Sequence, residues 1–378
     1  MVLDHSARAL LSRHPTRGAQ GPRAPTGTGA GTRPREREMT DTKISRLALA
    51  AAIAAAAGAA SAEGELNLYS SRHYDTDEAL YANFEEATGI TINRIEASAD
   101  ELIARLQAEG ENSPADVLLT VDAGRMWRAD QAGLLSPVDS EILNRRIPAH
   151  LRHPDGHWFG FSQRARIFFY DKDAVDRPPQ TYEELADDRY EGMVCMRSSS
   201  NIYSLSLLAS IIAEHGEAVA TEWAQGLKDN LARDPQGGDT DQLRGIVSGE
   251  CAIAVSNTYY FARALRKDVD GLSGSTDEIG WIFPNQSDRG THVNISAGAV
   301  LASAPNRDNA VRFLEYLASD EAQVYFSEGN DEYPAVPGVA LAESVAALGL
   351  FRQDDLNLSA LGEHQNAAVR IYDEVGYE

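Results

Sequence analysis

Tyr259 and Tyr260 stand side by side in Ser256-Asn257-Thr258-Tyr259-Tyr260-Phe261-Ala262-Arg263, directly after a run that reads as a buried strand. His73-Tyr74 and Tyr203 occupy similar places after two other strand-like runs. Four phenols and one imidazole could converge on a single ion. A phenolate is a hard anionic oxygen donor, and hard oxygen ligands suit hard cations. A free phenol titrates near pH ~10, so only a strongly Lewis-acidic ion deprotonates several together, as bound metals do to water or thiol. Ferric iron is the biological candidate, and tyrosinate ligation of iron has a precedent in catalase haem. Residue type alone leaves another reading open: core or ligand-stacking tyrosines and a surface or capping histidine at 73.

The elements that must position these residues are legible in outline. Residues 65–70 alternate as a strand, and Asp75 or Thr76 can cap the helix that follows, with Leu80, Phe84 and Ala87 on one face and a stop at Gly89. Residues 90–95 read as a strand, 101–108 as a helix capped by Ser98, 117–121 as a buried strand, and 122–132 as a helix ended by Gly133. That alternation predicts a parallel sheet with covered faces. A strand over 158–170, interrupted by Arg164 and Arg166, crosses into a second lobe. There, strands are expected at 193–197 and 251–255, and helices at 203–215, 219–227, 241–248 and 259–265. Residues 279–284 form a strand that could return to the first lobe, followed by a strand at 297–301 and helices at 309–317 and 321–327. Asp122 and the Gly237-Gly238 turn read as structural.

Two crossings between α/β lobes imply a hinged clamshell, with ligand at the carboxyl ends of the strands. The expected organisation is a first lobe of 63–163 plus 285–330, a second of 164–284, and C-terminal helices over 331–378. His364, Tyr372 and Tyr377 in that tail read as solvated or packing residues.

The N-terminal 62 residues look separate from the fold. Residues 1–38 are rich in Arg, Pro, Gly and Thr and read as a disordered leader or an over-extended gene start. Met39, the basic Lys43 and Arg46, the apolar stretch 47–59 and Ala60-Ser61-Ala62 read as a Sec-type signal peptide over 39–62. Residues 1–62 carry nine Lys/Arg and four Asp/Glu, so their removal takes the net charge from −23 to −28. Such an acidic protein is repelled by nucleic acid and anionic lipid. The mature chain has no apolar run of about 18 residues that would span a bilayer. Cys195 and Cys251, an even count in an exported chain, favour a disulfide over two buried thiols. No H-E-x-x-H, G-x-S-x-G or Walker A pattern argues for an enzyme in the mature chain.

The segments 69–77, Ser198-Ser199-Ser200-Asn201-Ile202-Tyr203, 235–242, Trp158-Phe159-Gly160 with Arg164-Ala165-Arg166, and Ser256-Asn257-Thr258-Tyr259-Tyr260 resemble those of the periplasmic iron-binding proteins of ABC transporters. The likeness runs from about residue 65 to the C-terminus and is nearest to the His-plus-tyrosine members, which need no carbonate or phosphate partner. The resemblance implies an α/β, two-lobed type II periplasmic binding fold with Fe(III) in the interlobe cleft. It implies His73, Tyr74, Tyr203, Tyr259 and Tyr260 as metal ligands, with Arg166, Arg72 and Arg263 as nearby cations. It also implies a monomer that delivers iron to an inner-membrane ABC permease.

Ferric iron with four phenolates and a neutral imidazole would carry net charge −1, and ferrous iron −2. Buried excess charge is costly, so the set favours the oxidised ion. The main alternative is a same-fold receptor for a small organic cation or other solute, favoured by an acidic cleft. A secreted metal-dependent hydrolase is the remaining class.

Overall fold

The computed structural model describes residues 64–72, 74 and 76–378, so the leader, the signal segment and His73 lie outside the described residues. Strand β1 (Glu65–Ser70) pairs in parallel with β2 (Thr91–Glu96) on one side and β3 (Val117–Val121) on the other. Between β1 and β2 runs α1 (Asp77–Thr88), which buries Leu80, Tyr81 and Phe84 at helical spacing. Helix α2 (Ala99–Glu109) starts on a capping box. The Ser98 hydroxyl accepts the Glu101 N–H, and the Glu101 carboxylate accepts the Ser98 N–H. After β3 come α3 (Ala123–Gln131) and α4 (Glu141–Arg146).

The organising element is β4 (Phe159–Asp171), a single strand shared by two sheets. Phe159–Ala165 runs antiparallel to β8 (Val293–Val300), which also pairs antiparallel with β3. Beyond Ala165 the same strand pairs with β6 (Ile253–Asn257) and β7 (Ile279–Ile282), while β5 (Val194–Cys195) lies parallel to β6. The first sheet therefore has the order β2-β1-β3-β8-β4, with β9 (Tyr333–Pro334) also on β4. Its first three strands are parallel, and β8, which enters from the direction of the second sheet, runs antiparallel to both β3 and β4. The sequence suggested that 279–284 returns the chain to the first lobe. Instead β7 stays on the second half of β4, and residues 283–292 make the return.

Successive residues of the second sheet face opposite ways. Phe168, Ile253 and Val255 pack with Leu208, Ile211 and Trp223 of α5 (Ile202–Asp229). Phe169 and Ala254 face a cluster with Phe261 on α7 (Thr258–Arg266), which follows α6 (Asp239–Val247). The two helices expected at 203–215 and 219–227 form the two halves of α5, separated at Gly216, whose φ of 80° no interior helical residue adopts.

Helices α8 (Arg307–Leu317) and α9 (Asp320–Asn330) follow β8. The tail forms α10 (Glu343–Ala346), α11 (Ser359–Glu363) and α12 (Gln365–Val375). Tyr372 and Tyr377 are buried and stacked at 4.7 Å. Their hydroxyls donate to Ser204 O and Arg197 O, at 3.2 and 2.9 Å, bracketing the start of α5. None of the described helices is long and apolar enough to cross a membrane.

Cys195 and Cys251 are disulfide-bonded, with Cα atoms 5.8 Å apart and a sequence separation of 56. A closed loop of that length contributes roughly 4 kcal/mol in the chain-entropy model. Thermal unfolding with and without reductant should differ by on the order of 10 °C. An unchanged midpoint after confirmed reduction would reject that contribution.

Candidate metal centre

Three tyrosine-bearing segments leave the sheets at strand ends and enter helices. Tyr74 lies between β1 and α1, and its carbonyl accepts the Asp77 N–H at 2.8 Å. Tyr203 is in the first turn of α5, where the Asn201 side chain caps the helix by accepting the Tyr203 N–H at 3.0 Å. Tyr259 and Tyr260 occupy the first turn of α7, with Asn257 at the N-cap. Helix N-termini favour negative charge, so phenolates at such ends are stabilised before any ion is considered.

The structure brings the four phenols together. Tyr259 and Tyr260 stack with ring centroids 4.1 Å apart. Tyr259 and Tyr203 are buried, and Tyr74 and Tyr260 are half-buried. Burial pushes the Tyr259 hydroxyl well above its ordinary range, and the charges that Tyr203, Tyr74 and Tyr260 would carry push it further. Burial also raises Tyr260, with Asp239, Tyr203 and Tyr74 adding to it. Tyr74 is raised by burial and by Glu332, against the lowering pull of Arg72. The metal-free phenols of Tyr74, Tyr259 and Tyr260 are therefore protonated at neutral pH.

Guanidiniums cover the rings. Arg72 lies over Tyr74 at 4.9 Å from the centroid, and Arg164 and Arg263 lie over Tyr259 at 5.7 and 5.5 Å. Arg166 and Arg197 lie over Tyr203 at 5.9 and 5.8 Å. All three arginines expected from the sequence, Arg166, Arg72 and Arg263, are thus beside the tyrosines. Each is also held by a carboxylate: Arg72 by Asp77 at 2.9 Å, Arg166 by Asp239 at 2.8 Å, and Arg263 by Asp331 at 3.6 Å.

Arg164 and Arg197 were not among the expected site residues, nor were Glu332, Asp239 and Asp331. A signal for Arg164 existed, because two residues apart on one strand puts Arg164 and Arg166 on the same face. Glu332 had none, lying far along the chain from every motif. Its carboxylate pairs with Arg164 and Arg72 and accepts the Ser162 hydroxyl at 2.6 Å. Burial would raise it, but Arg164 and Arg72 outweigh burial and hold it at about 2. The Gly237-Gly238 turn does more than shape the backbone. It delivers the buried Asp239, which pairs with Arg197 at 2.9 Å as well as with Arg166.

Two donors of buried Arg164, Nε and Nη1, have no hydrogen-bond partner among the described residues. Arg164 feels the phenols of Tyr203, Tyr259 and Tyr74 after Glu332. Five guanidiniums over three of the rings, against the carboxylates Asp77, Glu332, Asp239 and Asp331, leave a positive surplus around the tyrosines. The surround is cationic rather than the acidic one that would favour an organic cation.

Asp122 is structural, as its sequence context suggested, and it also joins the first sheet to helix α5. At φ 80° and fully buried, it accepts from Gly124 N, Ser206 Oγ and Asn294 Nδ2 at 2.8, 2.7 and 2.8 Å. Ser206 lies one turn beyond Tyr203, so this carboxylate ties the end of β3 to the helix that presents that phenol. His73, the expected fifth ligand, lies outside the described residues.

Known proteins share this fold. The chain is 53% identical over 317 residues to "Iron uptake protein A2" of Synechocystis sp., covering 83% of this chain and 90% of that one. A solved structure of Trichodesmium IdiA (FutA) in complex with iron and citrate superposes with TM-score 0.81 at 50% identity, covering 83% of this chain and all of that one. A ferric-binding protein from Campylobacter jejuni gives TM-score 0.78 at 43% identity, again over 83% of this chain and the whole of the other. The family model for bacterial extracellular solute-binding proteins matches residues 79–353. With a shared central strand, two α/β lobes and a tyrosine cluster at their strand ends, the chain belongs to the bacterial extracellular solute-binding proteins and has their two-lobed type II fold.

Proposed function

We propose that this protein captures Fe(III) in the cleft between its lobes and delivers it to an ABC-type importer in the inner membrane. His73, Tyr74, Tyr203, Tyr259 and Tyr260 are the ligands, as in the anion-independent subgroup. His73 and Tyr74 belong to a first lobe of 63–163 and 285–330, and the other three to a second lobe of 164–284. The helices of 331–378 brace both. The protein works as a periplasmic monomer, exported by the signal segment 39–62.

The observation that carries this reading is the gathering of four phenols, three of them in the first turns of helices, inside a cationic frame. Phenolates there have an acid-base reason to form once a trivalent ion arrives, and Arg164, two of whose donors have no partner among the described residues, is near enough to feel their charge. A −1 iron-tyrosinate unit is offset by the arginine surplus. A stacked organic cation is disfavoured, since guanidiniums already lie over Tyr74, Tyr203 and Tyr259, and Tyr260 is stacked on Tyr259. Closure by hinge motion about β4 would bring the lobes' ligands onto one ion, and the closed form would dock on the permease.

The test is titration of the mature protein with ferric citrate. One Fe(III) per chain should bind, with a visible phenolate-to-iron absorption band. Because the raised phenols start protonated, uptake must release protons. Apparent affinity should therefore fall as pH falls, by about tenfold per pH unit for each proton released. Colourless binding, or uptake independent of pH between about 6 and 8, would refute the tyrosinate site.

A further inference from the structure

A second group of metal-ligating side chains lies on elements that carry none of the tyrosines. Arg152 and Phe159 form an antiparallel bridge. The His153 N–H donates to Trp158 O, and the Gly156 N–H to His153 O, both at 3.0 Å. His153-Pro154-Asp155-Gly156-His157 is thus closed into a tight turn. Gly156 has φ 77°, and a Cβ there would sit 2.6 Å from Val138 O, so the turn is fixed against its neighbour. The two imidazoles at its ends lie parallel, 4.6 Å apart, and both face Asp130 on α3. His157 Nδ1 is bonded to Asp130 Oδ1, and His153 Nε2 is 3.7 Å from Oδ2. One donor atom from each of the three residues lies within 4.8 Å of the others.

We infer a second cation site here, for a divalent ion of the Zn(II) class, held by His153, His157 and Asp130 with water in the remaining positions. Two imidazoles and one carboxylate match the preferences of Zn(II), Cu(II) and Ni(II), whereas the phenol cluster suits a hard trivalent ion. The side chains keep 14, 27 and 10% exposure for His153, His157 and Asp130, enough for an ion to enter while most water is excluded. Asp155 and Glu363 add negative potential at His153.

Proton positions change on binding. Without an ion, His153 Nδ1 accepts the Asp155 N–H at 3.1 Å, so its Nε2 carries the proton that faces Asp130. A cation at Nε2 moves that proton to Nδ1 and opens the Asp155 contact. The His157 proton moves to Nε2, and the rings tilt out of their stack so that both lone pairs meet the ion.

The experiment is titration with Co(II), then displacement by Zn(II), of full-length mature protein already loaded with ferric citrate. Wild-type protein should take up one Co(II) per chain, with the d–d bands of a four- or five-coordinate ion. His153→Ala with His157→Ala should weaken uptake by at least about a hundredfold, leaving circular dichroism unchanged. If that pair misfolds, His157→Ala alone, at the more exposed position, serves as the readout. The histidine changes should leave ferric loading and its visible band intact, which separates this site from the cleft. Uptake indifferent to the histidine changes, ferric loading lost together with Co(II) uptake in those variants, or no uptake by wild type at micromolar concentrations overturns the assignment.

Discussion

Replacing Tyr259 and Tyr260 together by phenylalanine should abolish the visible iron band and weaken Fe(III) binding by at least about a thousandfold, about 4 kcal/mol. The substitution removes two hydroxyls and leaves both rings, so the 4.1 Å stack and the guanidiniums over Tyr259 keep their partners. The α7 N-terminus is made by backbone groups and is untouched. Two anionic oxygens are lost from the donor set, while the positive surplus of the arginines remains and repels the ion. Absorption spectroscopy with a competing chelator reads both effects. Tight, coloured iron binding in that variant would falsify the ligand assignment, whereas loss of fold would show in circular dichroism.

Glu332→Ala should destabilise the metal-free protein by about 3–5 kcal/mol, the cost of leaving buried charge uncompensated. Its carboxylate is buried and joins Arg164, Arg72 and Ser162, so truncation strips Arg164 of its carboxylate partner and leaves Arg72 with Asp77 alone. The acid titration points to the same size. A carboxyl held at about 2 against an ordinary 4.5 contributes about 3 kcal/mol. Because the folded value is depressed, that contribution is complete above the unfolded value and is lost as pH falls from about 5 toward 2. Urea unfolding of wild type and variant should therefore differ widely at neutral pH and converge in acid. A constant gap across that range would show that the effect comes from packing rather than charge. The iron band should survive in Glu332→Ala, since the bonds lost are to guanidiniums and a serine.

Local signals served well where local physics decides. The cap at Ser98, the stop at Gly89 and the buried run Val117–Val121 each have a cause within a few residues, and each lies where the pattern indicated. Strand ends were less legible. The strand expected over 193–197 shrinks to Val194–Cys195, because Arg197 turns away to meet Asp239. The two helices expected at 203–215 and 219–227, by contrast, are separated as expected, by the non-helical Gly216.

What the amino-acid order determined by itself is the set of phenols and their place after strands, since an Asn-x-Tyr step at a helix start is a local event in both Asn201-Ile202-Tyr203 and Asn257-Thr258-Tyr259. Only the tertiary structure decided the charge frame around them. Arg164 meets Glu332 across 168 residues of chain, and Arg166 meets Asp239 across 73. No periodicity records such pairs, because a buried charge takes whichever partner the folded sheets bring within hydrogen-bonding distance.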